Sequence, residues 1–202
     1  MNNSHSYITI DQPTESFYKE RGSKFMGYAF PVSSKIDIKE RLDALWSQYP
    51  DATHVCYAWV LGVGGDEYRA NDDGEPGNSA GQPILREIRS NNLTHVLVAV
   101  VRYYGGKKLG VSGLIESYGM AAKLALEQAE VRTETLKKKC WIRDLGANDY
   151  KVYEYAGRLG FEIISPPKNP GGYFEIVMEL SQFEPLVKSL ESLPNFDLRD
   201  EQ

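Results

Sequence analysis

Apolar and polar positions along the chain change period several times, and each change marks an element. Residues 7–10, 15–19 and 25–32 alternate in twos, split by Asp11-Gln12-Pro13 and Gly22-Ser23, which predicts antiparallel strands joined as hairpins. Ile38, Leu42, Leu45, Trp46 and Tyr49 then recur at helical spacing, with Asp37 and Glu40 placed as a capping pair and Pro50 just past the end. Two runs resemble each other: THVCYAWVLGVGG from Thr53 and THVLVAVVRYYGG from Thr94. Neither alternates with polar residues, so both are predicted as strands of one sheet, buried on both faces, with a helix over at least one of them. Between them, residues 71–83 (NDDGEPGNSAGQP) read as a turn-rich loop, and Pro83 as the first-turn proline of a short helix over 84–89. Ser112 is placed as the N-cap of a long helix reaching about Glu130, apolar over much of its circumference.

After Arg132 the pattern starts again. A strand around 140–142 precedes a helix from about Asp149, whose Val152, Tyr155, Ala156 and Leu159 share one face. Residues 161–164 and 174–180 form a hairpin across SPPKNPGG, with Phe174, Ile176, Met178 and Leu180 on one side. Phe183, Leu186, Val187, Leu190 and Leu193 mark a last helix, and 196–198 a closing strand. The order βαββαβ is the split-βαβ, or ferredoxin-like, plan. The fold class predicted is therefore α+β in two domains, residues 1–132 and 133–202.

Composition narrows the function. The 202 residues are 42% hydrophobic, enough for one substantial core or two small ones. The only two cysteines, Cys56 and Cys140, sit far apart in apolar strand-like surroundings and fit neither a disulfide framework nor a metal knuckle. The longest aliphatic run, residues 96–101, is far short of a membrane span, and the first residues carry no basic or apolar leader pattern, so a cytoplasmic protein is expected. A net charge of -5 argues against binding nucleic acid through bulk electrostatics, and nothing signals DNA specifically. Any anion site must be local.

The most informative local pattern is residues 102–112, RYYGGKKLGVS. Backbone amides, a helix start and two lysines at one point form the usual cradle for phosphate or another polyanion. The candidate site is Arg102, Tyr103, Tyr104, Gly105, Gly106, Lys107, Lys108 and Ser112, with the basic residues on phosphates and a tyrosine stacked on a base. The glycines match neither a P-loop nor a dinucleotide fingerprint. Asp72, Asp73 and Glu75 are the weak metal candidates, since hard cations want clustered carboxylates; their spacing fails the calcium-loop pattern, and Asp72-Asp73-Gly74 reads first as an Asx-type turn. His54 and His95 open the twin strands, and Cys56 follows His54 on the same strand face, but no nucleophile signature surrounds it.

Asp72-Asp73-Gly74-Glu75-Pro76, Ala80-Gly81, Pro83-Ile84-Leu85, Arg102-Tyr103-Tyr104-Gly105-Gly106, Lys108-Leu109-Gly110 and Gly113-Leu114 together resemble the YigZ/IMPACT family. The resemblance covers essentially the whole chain. It implies an N-terminal domain like the second domain of ribosomal protein S5 and a C-terminal ferredoxin-like domain similar to late domains of elongation factor G. It further implies a cytosolic factor linked to translation, since eukaryotic relatives restrain activation of a kinase that phosphorylates an initiation factor. Those relatives carry an extra N-terminal partner-binding domain, whereas this chain starts with the shared one. In this sequence Glu116 stands where the family usually has a basic residue. The family supplies no agreed catalytic residues, and none is assigned here. The reading is a non-enzymatic regulator that binds RNA, the ribosome or a translation factor through the basic glycine loop and needs no cofactor. The alternative is a Mg²⁺-dependent enzyme acting on a nucleotide or other phosphorylated small molecule, with Asp72, Asp73 or Glu75 on the metal. A third reading is a protein-binding adaptor using the open sheet face of the second domain.

Overall fold

The computed structural model describes residues 5–146, 148–191 and 195–200, arranged as a two-domain α+β chain. One compact unit is Ser6–Glu134; the other is formed chiefly by Thr135–Gln202. In the first, β1 (Ser6–Ile10) precedes the hairpin of β2 (Thr14–Glu20) and β3 (Ser23–Pro31), then α1 (Lys35–Gln48), β4 (His54–Leu61) and β5 (Glu67–Asn71). There follow α2 (Gly81–Ser90), β6 (Val96–Tyr103), α3 (Gly110–Glu127) and β7 (Val131–Thr135). The main sheet has the order β2-β3-β6-β4-β5 and is antiparallel throughout, while β1 pairs with β7.

The centre of this unit is β6. Val96, Val98 and Val100 meet α2 and α3, and Leu97, Ala99 and Val101 pack on the opposite face with Ile38 and Leu45 of α1. A strand apolar on both sides is stable only if both sides are covered, which is why the sheet carries helices on each face. The twin segments are neighbours, β4 beside β6, but they run in opposite directions, so His54 faces Arg102 and Val60 faces Val96. α3 comes close enough to the sheet that a Cβ on Gly27 would lie 2.5 Å from the Ala121 carbonyl oxygen. Ser16 and Thr14 hydroxyls beside it donate to the carbonyls of Ala121 and Ala125 at 2.8 and 2.7 Å, fixing the helix along β2.

Several boundaries differ from the expectations. The cap of α1 is Ser34, extended at φ -151°, whose hydroxyl accepts from the Asp37 amide at 3.2 Å; Asp37 closes the box one turn earlier than the Asp37/Glu40 pair would have. Strand β5 was not expected, because its five residues show no apolar alternation; pairing with β4 makes it a strand. α2 starts at Gly81, with Pro83 inside its first turn. α3 starts at Gly110 and stops at Glu127, Leu109 occupies its cap with no side-chain bond, and Ser112 is an exposed first-turn residue instead of the N-cap. β7 was not expected; its partner β1 lies at the other end of the unit's sequence.

In the second unit β8 (Lys137–Asp144), α4 (Asp149–Leu159), β9 (Glu162–Ser165), β10 (Phe174–Glu179), α5 (Leu180–Glu191) and β11 (Phe196–Asp200) form a sheet of order β11-β8-β10-β9. That is the split-βαβ plan, with Cys140, Ile142, Val152, Phe174, Ile176 and Leu186 in its core. Leu180 begins α5 instead of ending the preceding strand; Leu193 lies outside the described residues. Among the described residues no helix is long and apolar enough to cross a membrane.

Two outcomes follow from this packing. Gly27→Ala forces α3 off the sheet and should cost about 1–3 kcal/mol, read as a lower urea midpoint at unchanged m-value. Hydrogen bonds from Ser33 and Ser34 hold the Asp37 carboxyl at about 2, below the usual carboxylate range. Its stabilisation is therefore fully present above the unfolded-state value and is lost as pH falls through the folded one. Asp37→Asn should lower the urea midpoint at neutral pH, and the gap to the parent should close below pH about 2.

Candidate functional site

Arg102 is the last inward-facing residue of β6, on the α3 side of the sheet. Its side chain is only 6% exposed, and its guanidinium forms an ion pair with Glu75, itself 5% exposed. Glu75 also accepts a hydrogen bond from the Tyr118 hydroxyl on α3 at 2.7 Å, and His54 Nε2 lies 3.9 Å away. Arg102 Nη2 reaches Ser23 Oγ at 3.5 Å, and the guanidinium lies over the rings of Phe25 and Tyr104. The Arg102–Glu75 pair thus ties together β3, β6, α3 and the loop before α2.

That loop is held by its own carboxylates. Asp72 accepts from the amides of Asn78, Ala80 and Gly81 at 2.8–3.0 Å, so it fastens the first turn of α2. Asp73 accepts from the Val55 amide at 2.7 Å, and its carbonyl accepts from His54 Nδ1 at 2.6 Å. The Glu75 amide donates to the Asp72 carbonyl across Asp73 and Gly74, whose φ values of +44° and +86° make a type I′ turn. A turn is present at Asp72-Asp73-Gly74, but as a backbone type I′ turn instead of the Asx type, the side-chain bond of that kind being made by Asn71 to the Asp73 amide, and all three candidate metal ligands already have protein donors. Among the described residues no group of three or more His, Cys, Asp or Glu converges as a cation site.

The other chemical candidates separate in the same way. Cys56 is buried and its thiol donates to the Asp72 carbonyl at 3.1 Å; burial pushes it well above the usual thiol range, the opposite of an activated nucleophile. His95 sits at the far end of the sheet from His54, because β4 and β6 are antiparallel. Its ring stacks on Tyr7 at 4.3 Å, so it forms no pair with His54 or Cys56. Burial likewise raises the Tyr118 hydroxyl, keeping it neutral as the donor to Glu75.

The glycine loop faces the other way. Tyr104, Gly106, Lys107, Lys108 and Ser112 are exposed. Tyr103 turns to the α1 side and donates to Asp51 at 2.7 Å. The amides of Tyr104 and Gly105 donate to Thr53 Oγ1 and Ser23 Oγ at 3.0 and 3.1 Å, so these two point inward instead of lining an anion cradle. Gly105 is required by contact: a Cβ there would stand 1.9 Å from the Gly22 carbonyl carbon. The same approach brings the β2–β3 hairpin alongside the loop. Lys24 pairs in register with Tyr103 and with Lys19, and Arg21 sits at the hairpin tip. Lys19, Arg21 and Lys24 are exposed basic neighbours that linear reading missed; the hairpin itself was visible, but its pairing with β6 is a long-range contact. The structure thus brings together Tyr104, Lys107 and Lys108 and adds a basic hairpin, while Arg102 belongs to the support beneath.

The Impact N-terminal domain matches residues 21–126. YvyE of Bacillus subtilis, an IMPACT family member, is 29% identical over 200 residues, covering 93% of this chain and 92% of that one. YigZ of Escherichia coli is 37% identical over 99 residues, 48% of each chain, and an IMPACT family member of Thermus thermophilus is 43% identical over 107 residues, 53% of this chain and 56% of the other. A solved crystal structure of a hypothetical protein has the same fold, with a TM-score of 0.71 at 22% identity over 98% of both chains. The matched segment begins at the β2–β3 hairpin and ends in α3, so it encloses Glu75, Arg102, Tyr118 and both loop lysines, and the chain belongs to the YigZ/IMPACT family.

Proposed function

We propose that this protein is a cytosolic, non-enzymatic regulator associated with translation, binding RNA, the ribosome or a translation factor through the basic rim formed by Lys107, Lys108 and Tyr104. One observation carries the reading: every group near the loop with the means to do chemistry is committed inward, and what faces solvent is a pair of lysines and a tyrosine 48% exposed. Neither lysine enters an ion pair among the described residues. Ammonium groups held beside an exposed aromatic ring are the means by which proteins follow a single-stranded phosphate backbone. The translation role is what the family resemblance implies, and no cofactor enters it. Arg102 has a changed part: buried against Glu75, it supports the loop and Tyr104 instead of meeting phosphate itself.

The net charge of -5 limits such binding to a local patch of modest, salt-sensitive affinity. Two lysine contacts to single-stranded RNA correspond to a log-log salt slope of roughly -1.4. Fluorescence anisotropy with a short unstructured RNA, repeated over a range of KCl concentrations, should give about that slope for the parent protein. Lys107→Ala/Lys108→Ala should remove most of the slope and the affinity, with the melting temperature unchanged because both side chains are exposed. Binding by the double variant equal to that of the parent would reject the site.

A further inference from the structure

The face of the main sheet that carries α1 is only partly covered. Between α1 and the edge strand β5 lies an open cleft of about 440 Å³, within the size range of small-molecule sites. Its floor is aromatic, formed by Tyr57 and Trp59 of β4. Pairing of β4 with β5 sets Asn71 opposite Tyr57 and Arg69 opposite Trp59, so the aromatic floor runs into a polar wall that ends at Asp73. The facing wall is α1, with Lys39 at the rim and Trp46 left 39% exposed although it lies on the helix's apolar stripe. Arg69 is exposed and enters no ion pair among the described residues.

We propose that this cleft binds a nucleotide unit, free or at an unpaired position of RNA, with its base held between the Trp46 indole and the Arg69 guanidinium above Tyr57 and Trp59. A heteroaromatic ring matches stacking surfaces of this kind whatever its identity. The carbonyl of Asn71 and the carboxylate of Asp73 are acceptors suited to an exocyclic amino group, which adenine, cytosine and guanine carry and uracil lacks. Arg69 supplies positive charge for the phosphate, and Lys39, whose ammonium lies 3.9 Å from Asp43 on the same wall, a second, exposed cation. An apolar peptide side chain would fill the same floor but offer nothing to Arg69, whereas the Asn71 side-chain oxygen and the Asp73 carboxylate, which already accept from the Asp73 and Val55 amides, keep further lone pairs for an amino group, which is why the base is preferred. Neither Lys107 nor Lys108 lines the cleft, so this inference and the proposed basic rim can fail separately.

Two of the chain's three tryptophans line the cleft, which makes intrinsic fluorescence a direct readout. The full chain is titrated with AMP, CMP, UMP and ribose 5-phosphate, and in a parallel arm with a short oligoadenylate. Saturable quenching by AMP and CMP, weaker quenching by UMP and none by ribose 5-phosphate are expected. Arg69→Ala and, separately, Lys39→Ala should weaken AMP binding, the former by roughly tenfold or more, at an unchanged melting temperature. Lys107→Ala/Lys108→Ala should leave AMP binding as in the parent. AMP and oligoadenylate saturating alike identifies free nucleotide as the ligand; saturation by oligoadenylate alone, equally sensitive to Arg69→Ala, identifies an unpaired RNA base. No saturable change with any nucleotide, as for a cleft that takes a protein segment, would overturn the inference. So would an equal response to ribose 5-phosphate, or parent-like binding in both the Arg69 and Lys39 variants.

Discussion

Arg102 and Glu75 meet beneath the helices of the first unit with almost no exposure to solvent, and most of what surrounds them is arranged by that contact. Two unpaired charges in such a place would each cost several kcal/mol in lost hydration. Together they are tolerable because they meet directly and each has further protein neighbours, although Arg102 Nε is buried without a hydrogen-bond partner. Tyr118 completes Glu75, and Ser23 and the rings of Phe25 and Tyr104 surround the guanidinium. Because the partners come from β3, β6, α3 and the loop before α2, the pair fixes a meeting point that apolar packing alone leaves free to slide.

That arrangement separates support from contact. Asp72, Asp73, His54 and Cys56 hold the loop and the strand ends through bonds to backbone groups, and Glu75 through bonds from the Arg102 and Tyr118 side chains. Lys107, Lys108 and Tyr104 stand outside on a turn held by Ser23 and Thr53 and by the close approach of Gly22 to Gly105. A rigid underside lets a short exposed segment keep one shape, which lowers the entropy lost when it meets a partner. The conspicuous acidic motif fastens the loop before α2 to β4 and α2 beneath the exposed glycine turn.

The elements were legible wherever burial imposed a period. β6 and β4 announced themselves by unbroken apolar runs, and the second unit by the order of its strands and helices. What escaped was set by pairing, with the strand just before it for β5 and with the far end of the unit's sequence for β7. β5 and β7 carry no pattern of their own and become strands only through β4 and β1. Ser112 had the right chemistry for a cap, yet Gly110, at φ +73°, let α3 begin three residues earlier, with Leu109 at the cap. Arg102 was the instructive case: in sequence it is the first basic residue of a basic loop, but strand alternation places it on the α3 side, where Glu75 awaits it. Parity along β6 held that information, since Val98, Val100 and Arg102 share a face; the missing piece was that a carboxylate 27 positions earlier returns to the same point. The basic hairpin and the cleft beside β5 are likewise products of pairing register.

The central claim is that Arg102 and Glu75 act as one unit in holding the loop to the sheet. A double-mutant cycle with Arg102→Met and Glu75→Gln, followed by urea unfolding, tests it most directly. Each single change should cost about 3–5 kcal/mol, because it leaves the other partner buried without its counterpart, and the double variant should cost clearly less than the sum. Strictly additive losses, or single changes that cost almost nothing, would contradict the account.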